Sequence, residues 1–280
     1  MILDFHTHIF PAFFTRQRER FFPEEPDFEL LYRPPGSRMA DCGELLRAMD
    51  EEGVERSVVF GFPWQHAEFF RRHNDYILES VQKHPGRLVG FCAFSPDSPA
   101  ALREAERCLG AGLSGVGEIA FYHKGLSERS TRRLGELVEI CAPFNAPLLI
   151  HTNEPVGHAY PGKTPVSLGA LYHLIRKHPG QRFILAHWGG GLFFYALMKK
   201  EVREALGNTW FDTAASPFLY KPEVYRIAGG IVGFEKILFG SDFPLLRPGR
   251  YFREMESAGV PPEAVNRIRG DNAARLLGLA

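Results

Sequence analysis

Met1-Ile2-Leu3-Asp4-Phe5-His6-Thr7-His8 is the stretch on which the reading of this chain turns. Ile2, Leu3 and Phe5 give it the apolar character of a buried strand. Strand side chains alternate between faces, so Asp4, His6 and His8 are expected to point the same way. Two imidazoles two residues apart on one face can reach a single ion. Neutral imidazole ligates divalent transition metals, with bonds of about 2.0–2.1 Å in zinc sites. His-x-His is also what any two polar strand residues look like, so its weight depends on what recurs downstream.

Downstream, the chain first runs through a long irregular stretch, residues 9–41, read as a functional loop after strand one. It carries Phe10, Phe13, Phe14, Phe21, Phe22, Phe28 and Tyr32 among several arginines. A rhythm then sets in. Apolar runs at 56–62, 87–94, 115–121, 146–151, 182–187, 209–213 and 237–242 read as strands two to eight. Between them lie stripes at helical spacing, such as Phe69, Phe70, His73, Ile77 and Val81. Asp97 or Ser98 is expected to cap one helix, and Thr164-Pro165 to open another. Two final helices are expected near 250–258 and 264–277. Eight nearly continuous apolar strands alternating with helices call for parallel strands covered on both faces. The count predicts an α/β fold, a (β/α)8 TIM barrel, spanning 1–280 as one domain. No G-x-G-x-x-G follows strand one, which removes the main reason to prefer an open dinucleotide-binding sheet.

Composition narrows the partners. Lys+Arg 33 balances Asp+Glu 33, so there is no basic field to recruit nucleic acid. No apolar run reaches membrane length and no leader-like start is visible, so a cytoplasmic protein acting on a small molecule is expected. Cys42, Cys92, Cys108 and Cys141 are far apart and read as small buried side chains rather than disulfides.

In a barrel, the C-terminal ends of the strands converge on one site. Glu118 lies in strand four, His151 ends strand five, His187 ends strand six and Asp242 ends strand eight. With His6 and His8 they make four histidines and two carboxylates aimed at one spot, a metal-binding set. A divalent ion lowers the pKa of bound water from about 15.7 to about 7. Asp242 is suited to ligate and to move that water's proton. If Glu118 bridges, two ions fit, one on His6, His8 and Asp242, the other on His151 and His187. If it does not, one ion takes His6, His8, His151 and Asp242, and His187 is free to polarise the substrate. Asp4 is expected to support these residues from behind. His84 and His178, each in a Lys-His-Pro-Gly join between helix and strand, belong to the opposite face and to structure.

These motifs resemble the amidohydrolase superfamily. The likeness is carried by Leu3-Asp4-Phe5-His6-Thr7-His8, Leu149-Ile-His151, Leu185-Ala-His187-Trp-Gly-Gly and Phe239-Gly-Ser-Asp242-Phe-Pro244, with Asn272-Ala-Ala-Arg-Leu-Leu277 resembling the closing helix of the amidohydrolase-related branch. That branch holds metal-dependent hydrolases and non-oxidative decarboxylases. The resemblance implies His6, His8, His151 and Asp242 as ligands and His187 as a ligand or catalytic acid/base. Gly117-Glu118-Ile119 is closer to the strand-four glutamate of TatD-type phosphodiesterases, which leaves the metal count and the reaction class open. The expectation is a hydrolase that turns metal-activated water on a small ester, lactone or amide. Its alternative is a decarboxylase with the same cage, and a binding-only barrel ranks third. Zinc is the default ion, with manganese, iron and cobalt also compatible. Loop residues Trp64, Gln65, His66, Tyr122, His123, Lys124, His158, Tyr160, Lys163 and Arg247 are candidate substrate contacts, Arg247 being the cation a decarboxylase would use.

Overall fold

The computed structural model describes residues 1–123 and 125–279. Its eight strands are β1 Leu3–His8, β2 Arg56–Phe60, β3 Leu88–Cys92, β4 Gly115–Ile119, β5 Leu148–Ile150, β6 Phe183–Leu185, β7 Thr209–Asp212 and β8 Ile237–Leu238. Each pairs in parallel with the next. The first and last strands meet through Phe5 N–H to Phe239 O at 2.7 Å, His8 N–H to Phe243 O at 2.8 Å and Asp242 N–H to His6 O at 3.0 Å. This is the expected (β/α)8 barrel.

Alternate strand residues divide between two apolar layers, as the pleat requires. Leu3, Phe5, Val58, Phe60, Val89, Phe91, Leu149, Ile184 and Leu238 fill the barrel, closed from below by Ala273 and Leu276 of the last helix. Val59, Cys92, Val116, Leu148, Ile150, Phe183 and Leu185 face the surrounding helices. The strands are shorter than their apolar runs, because the ladder stops where the chain turns its polar side chains into the barrel mouth.

Alternation fails at one place that matters. Between Asp4 and Thr7, β1 carries one more residue than β2, a bulge of the kind that re-aims side chains beside active sites. His6 and His8 still converge, while the Asp4 carboxylate turns back to accept from His6 N–H at 3.1 Å and Ser241 N–H at 2.9 Å.

The segment 9–41, expected as a long loop, contains helical turns at Ala12–Thr15, Arg18–Phe21 and Pro26–Tyr32. Its phenylalanines explain why. Phe10, Phe14 and Phe28 are fully buried, with Phe14 stacked 4.3 Å from Trp64 and Phe28 4.4 Å from it. Trp64, a candidate substrate contact by sequence, is therefore a core residue; its indole N–H donates to His73 Nδ1 at 2.9 Å, and His73 Nε2–H donates to Ile9 O at 2.7 Å. Burial pushes the His73 pKa down to about 3, so it stays neutral in this role.

Three helix starts differ from expectation. Thr164 does not open a helix, since its N–H and hydroxyl both donate to Asn153 Oδ1 at 2.7 Å. The helix is Leu168–Lys177, capped by the Ser167 hydroxyl accepting from Ala170 N–H. Neither Asp97 nor Ser98 caps the helix Ala101–Gly110, whose N-cap is Ala100. The last expected helix is broken into Pro262–Asn266, a wider turn Arg267–Asp271, and Asn272–Leu277. All four cysteines are free thiols. Among the described residues no helix is long and apolar enough to cross a membrane.

Candidate metal centre

Glu118 sits within β4, whereas His151 lies one residue past β5, His187 two past β6 and Asp242 four past β8. Reaching the mouth takes unusual backbone. His187 and Asp242 have φ of 54° and 62°, in the left-handed region that non-glycine residues seldom adopt. His187 is held there by its N–H to Asp212 Oδ1 at 2.9 Å, Asp242 by its N–H to His6 O. Gly117, at φ 133°, is needed for another reason: a Cβ there would lie 2.4 Å from the Leu149 carbonyl oxygen.

The donor atoms fall into two groups on either side of the Glu118 carboxylate. On the Oε2 side, His6 Nε2 and His8 Nε2 are each 3.8 Å from it, and 3.6 and 3.5 Å from Asp242 Oδ1. These spacings are too long for hydrogen bonds. They are the separations two donors keep when each lies about 2.0–2.2 Å from a shared ion at roughly tetrahedral angles. His6 Nε2 is buried and has no hydrogen-bond partner, an orphan that a folded protein rarely leaves. On the Oε1 side the contacts are closed. His151 Nδ1 is 2.9 Å from Glu118 Oε1 and 3.2 Å from His187 Nε2, and His151 Nε2–H donates to Gly162 O at 2.8 Å. Metal-capable triads therefore form among His6, His8 and Glu118; His6, His187 and Asp242; and Glu118, His151 and His187. All six residues picked from sequence meet at this site.

Charge in the cluster is lopsided. Burial opposes ionisation of His6, but Asp212 and Glu118 outweigh it and raise its pKa to about 10. For His187, burial is again outweighed, here by the hydrogen bond with Glu118 and the charge of Asp242, and the result is about 9. Glu118, buried, and Asp242, partly buried, are held ionised, Glu118 well below the carboxylate range by His151 and His6, Asp242 down to about 2 by neighbouring His8 and His6. Carboxylates crowded in this way call for positive charge between them, from imidazolium or from a cation.

Asp212 was not singled out from the sequence. Its Oδ2 accepts from His6 Nδ1–H at 2.8 Å, and its Oδ1 accepts from His187 N–H and from Ala214 N–H at 3.0 Å. That fixes the His6 tautomer with the Nε2 lone pair facing the cage. The strand-end rule that found His151 applies equally to Asp212, the last residue of β7. Asp4 supports β1 as expected, its pKa lifted to about 7 by burial. Tyr32 was passed over as part of an irregular stretch.

Most of the loop candidates are engaged elsewhere. Arg247 pairs with Glu51 and Glu52 and is half exposed, which corrects its expected place beside a substrate. Gln65 and His66 bind the buried Glu25 carboxylate, His123 pairs with Asp27, and Tyr160 and Lys163 both bind Glu154. His158 is exposed, and Lys124 lies outside the described residues. Tyr122 alone stays at the site, its ring 5.3 Å from that of His151. His84 and His178 end helices at the joins to β3 and β6.

Residues 3–279 match the family described as amidohydrolase. The chain belongs to the amidohydrolase family. A gamma-resorcylate decarboxylase from Polaromonas sp. strain JS666 is 23% identical to this amidohydrolase, over 87% of the chain and 89% of the relative. Among solved structures, the 5-carboxyvanillate decarboxylase of Sphingomonas paucimobilis superposes with a TM-score of 0.77 at 18% identity, covering 100% of this chain and 99% of that one. A dihydroxybenzoic acid decarboxylase from the same Polaromonas strain, with bound manganese and the inhibitor 2-nitroresorcinol, gives 0.73 at 20% identity over 99% and 97%. The structural likenesses carry the fold. The relatives overturn the expected hydrolase of esters, lactones or amides, because the curated relative and the two structures named above are decarboxylases. They lend no support to the finer TatD-type likeness drawn from Glu118, nor to zinc as the default ion.

Proposed function

We propose that this chain is a metal-dependent, non-oxidative decarboxylase of a small hydroxylated aromatic acid. The observation that carries the metal is the orphaned His6 Nε2, ringed at 3.5–3.8 Å by Asp242 and Glu118 oxygens that His8 Nε2 shares. The reaction follows from the relative that spans 87% of the chain. His6, His8, Glu118 and Asp242 would hold one ion on the Oε2 side, a mixed nitrogen and oxygen set open to several divalent metals; manganese is favoured because the Polaromonas structure holds it. His151 and His187 remain on the Oε1 side, where His151 Nδ1 and Glu118 Oε1 lie within hydrogen-bond reach at 2.9 Å. When bound, the ion supplies positive charge that neutralises the substrate and draws electron density from its ring.

The chain's own residues then have to deliver one proton. Decarboxylation breaks the bond between ring and carboxyl carbon; its electron pair stays with the ring carbon, which takes a proton, and carbon dioxide leaves. Asp242 is ionised down to about pH 2 and is a poor donor. His187 is the better one. Its Nδ1–H is committed to Ala214 O at 2.9 Å, and its Nε2, turned toward Glu118 Oε1 and His151 Nδ1, is the ring atom left to carry a proton to the substrate. Glu118 Oε1, 3.5 Å away, orients that proton and lies on the path by which it is replaced. The Phe60 ring, 5.0 Å from His6 and 4.7 Å from His8, walls the site against water.

The test is carbon dioxide release from 2,6-dihydroxybenzoate by manganese-loaded protein, with His187→Asn beside it. Release by the wild type, lost in the variant at unchanged metal content, is the expected result. A fully loaded wild type that releases none from any hydroxybenzoate would refute the proposal.

A further inference from the structure

The stretch 9–41 ends its last helix on Tyr32, and Tyr122 lies three residues past β4. Both rings border Phe62, Tyr32 at 6.0 Å and Tyr122 at 6.2 Å with its plane parallel to within 3°. Tyr32 is packed on its outer side by Phe28 at 4.7 Å and Phe10 at 5.3 Å. Tyr122 is 7% exposed, and its other neighbour is the His151 ring. Two phenols thus flank one apolar face beside the cluster. The charges acting on the Tyr32 phenol are those of Asp242 and Glu118, and the same two act on Tyr122. Burial and these carboxylates keep both phenols protonated, well above their ordinary range, so each has an O–H to donate.

Neither phenol oxygen has a protein hydrogen-bond partner among the described residues, which leaves both O–H groups free to meet a ligand. The Tyr251 hydroxyl, by contrast, donates to Ser241 O at 2.6 Å. The charged loop candidates Arg247 and Lys163 are tied to glutamates away from the cluster. The two phenols are uncharged donors that can serve an anionic substrate beside Glu118 and Asp242.

We infer that Tyr32 and Tyr122 are specificity residues, their hydroxyls donating hydrogen bonds to the ring oxygens of a hydroxylated aromatic acid whose ring packs on Phe62. The inference rests on the decarboxylase reading and adds to it. It gives the segment 9–41 a direct part in choosing the substrate. It also predicts that acids lacking the ring hydroxyls bind poorly for want of acceptors, since a donor left unpaired on binding is costly.

The experiment compares manganese-loaded wild type with Tyr32→Phe, Tyr122→Phe and the double variant. Metal content and melting temperature serve as controls. Turnover of 2,6-dihydroxybenzoate and of 2-hydroxybenzoate gives KM and kcat separately, and 2-nitroresorcinol, which has no carboxylate to lose, gives a Kd. Each single variant should raise KM and Kd by roughly tenfold, with kcat changed less and metal retained. The preference for two ring hydroxyls over one should narrow in at least one variant. A double variant that turns over both acids and binds the probe within about twofold of wild type overturns the inference while leaving the decarboxylase reading intact. If a variant melts early, wild-type binding of nitrobenzene against 2-nitroresorcinol carries the test, and equal affinity overturns it. A wild type that neither releases carbon dioxide nor binds the probe removes both readings.

Discussion

Replacing Asp212 by Asn changes one atom and should disarm the cage. Asp212 Oδ1 serves two backbone N–H groups, those of His187 and Ala214. An Asn keeps its carbonyl oxygen on that pair, because leaving two buried donors unpaired costs about 1–3 kcal/mol each. Its NH2 group is then turned toward His6 Nδ1, where Asp212 Oδ2 now accepts at 2.8 Å. A donor in that place makes Nδ1 the acceptor and puts the ring proton on Nε2, the atom that must offer its lone pair. Loss of such a partner typically lowers metal affinity about 10- to 100-fold, or about 1.4–2.8 kcal/mol. At neutral pH part of the loss is hidden. Asp212 is the strongest of the groups that raise His6 to about 10, so without it the metal has a less tightly held proton to displace. The gap between wild type and Asp212→Asn should therefore widen from pH 6.5 to pH 8.5. Manganese titration against a competing chelator measures it, with circular dichroism to verify the fold. Equal Kd within twofold at both pH values, in a folded variant, would refute the tautomer argument.

Metal-free protein should lose stability on the alkaline side. His6 and His187 are raised from 6.5 to about 10 and about 9, so their contribution is complete below pH 6.5 and vanishes as pH rises through 9–10. Calorimetry in chelator should show a falling Tm there, less steep with manganese bound, and equal slopes would argue against it. On the acid side Asp242, lowered from 3.8 to about 2, contributes above pH 3.8 and ceases to as pH falls through about 2. Gly117→Ala should destabilise by about 2–4 kcal/mol, since φ is 133° and the new Cβ meets the Leu149 carbonyl at 2.4 Å; a denaturant midpoint unchanged from wild type would contradict this. Arg247→Ala should leave kcat/KM within about twofold and stability within about 1 kcal/mol, because its partners Glu51 and Glu52 are on the surface; a tenfold fall in kcat/KM would return it to the site.

The barrel was legible because its evidence is periodic. Eight apolar runs, separated by helical stripes, leave few other arrangements. The cage was legible for a related reason: one topological rule places every strand end at the same mouth, so His6, His8, Glu118, His151, His187 and Asp242 needed no distances to be grouped. What escaped depends on contacts between segments far apart in the chain. Trp64 lies on the active-face side of β2 and looked like a binding residue. Only the packing of Phe14 and Phe28 from the segment 9–41 turns it into core. Arg247 looked free because nothing in its neighbourhood announces Glu51, almost two hundred positions earlier. The bulge in β1 is equally invisible, since it is a count of β1 against β2 rather than a property of either strand.

The hydrolase expectation failed for a different reason, and Glu118 shows it. A glutamate in strand four, beside four histidines and an aspartate, has the composition of a two-ion cage, and from composition a hydrolase follows naturally. Geometry separates the two oxygens of that one carboxylate. Oε2 faces atoms at 3.8 Å, with a gap the width of an ion between them. Oε1 is closed at 2.9 Å on His151. The Oε1 side stands at hydrogen-bond distance, and the Oε2 side is about 1 Å wider. On the Oε1 side stands His187, one contact from Glu118. On the proposed reading, one cation on the Oε2 side and one acid on the Oε1 side are what a ring carbon needs when it loses carbon dioxide, and Glu118, which argued for hydrolysis in the sequence, would stand between them.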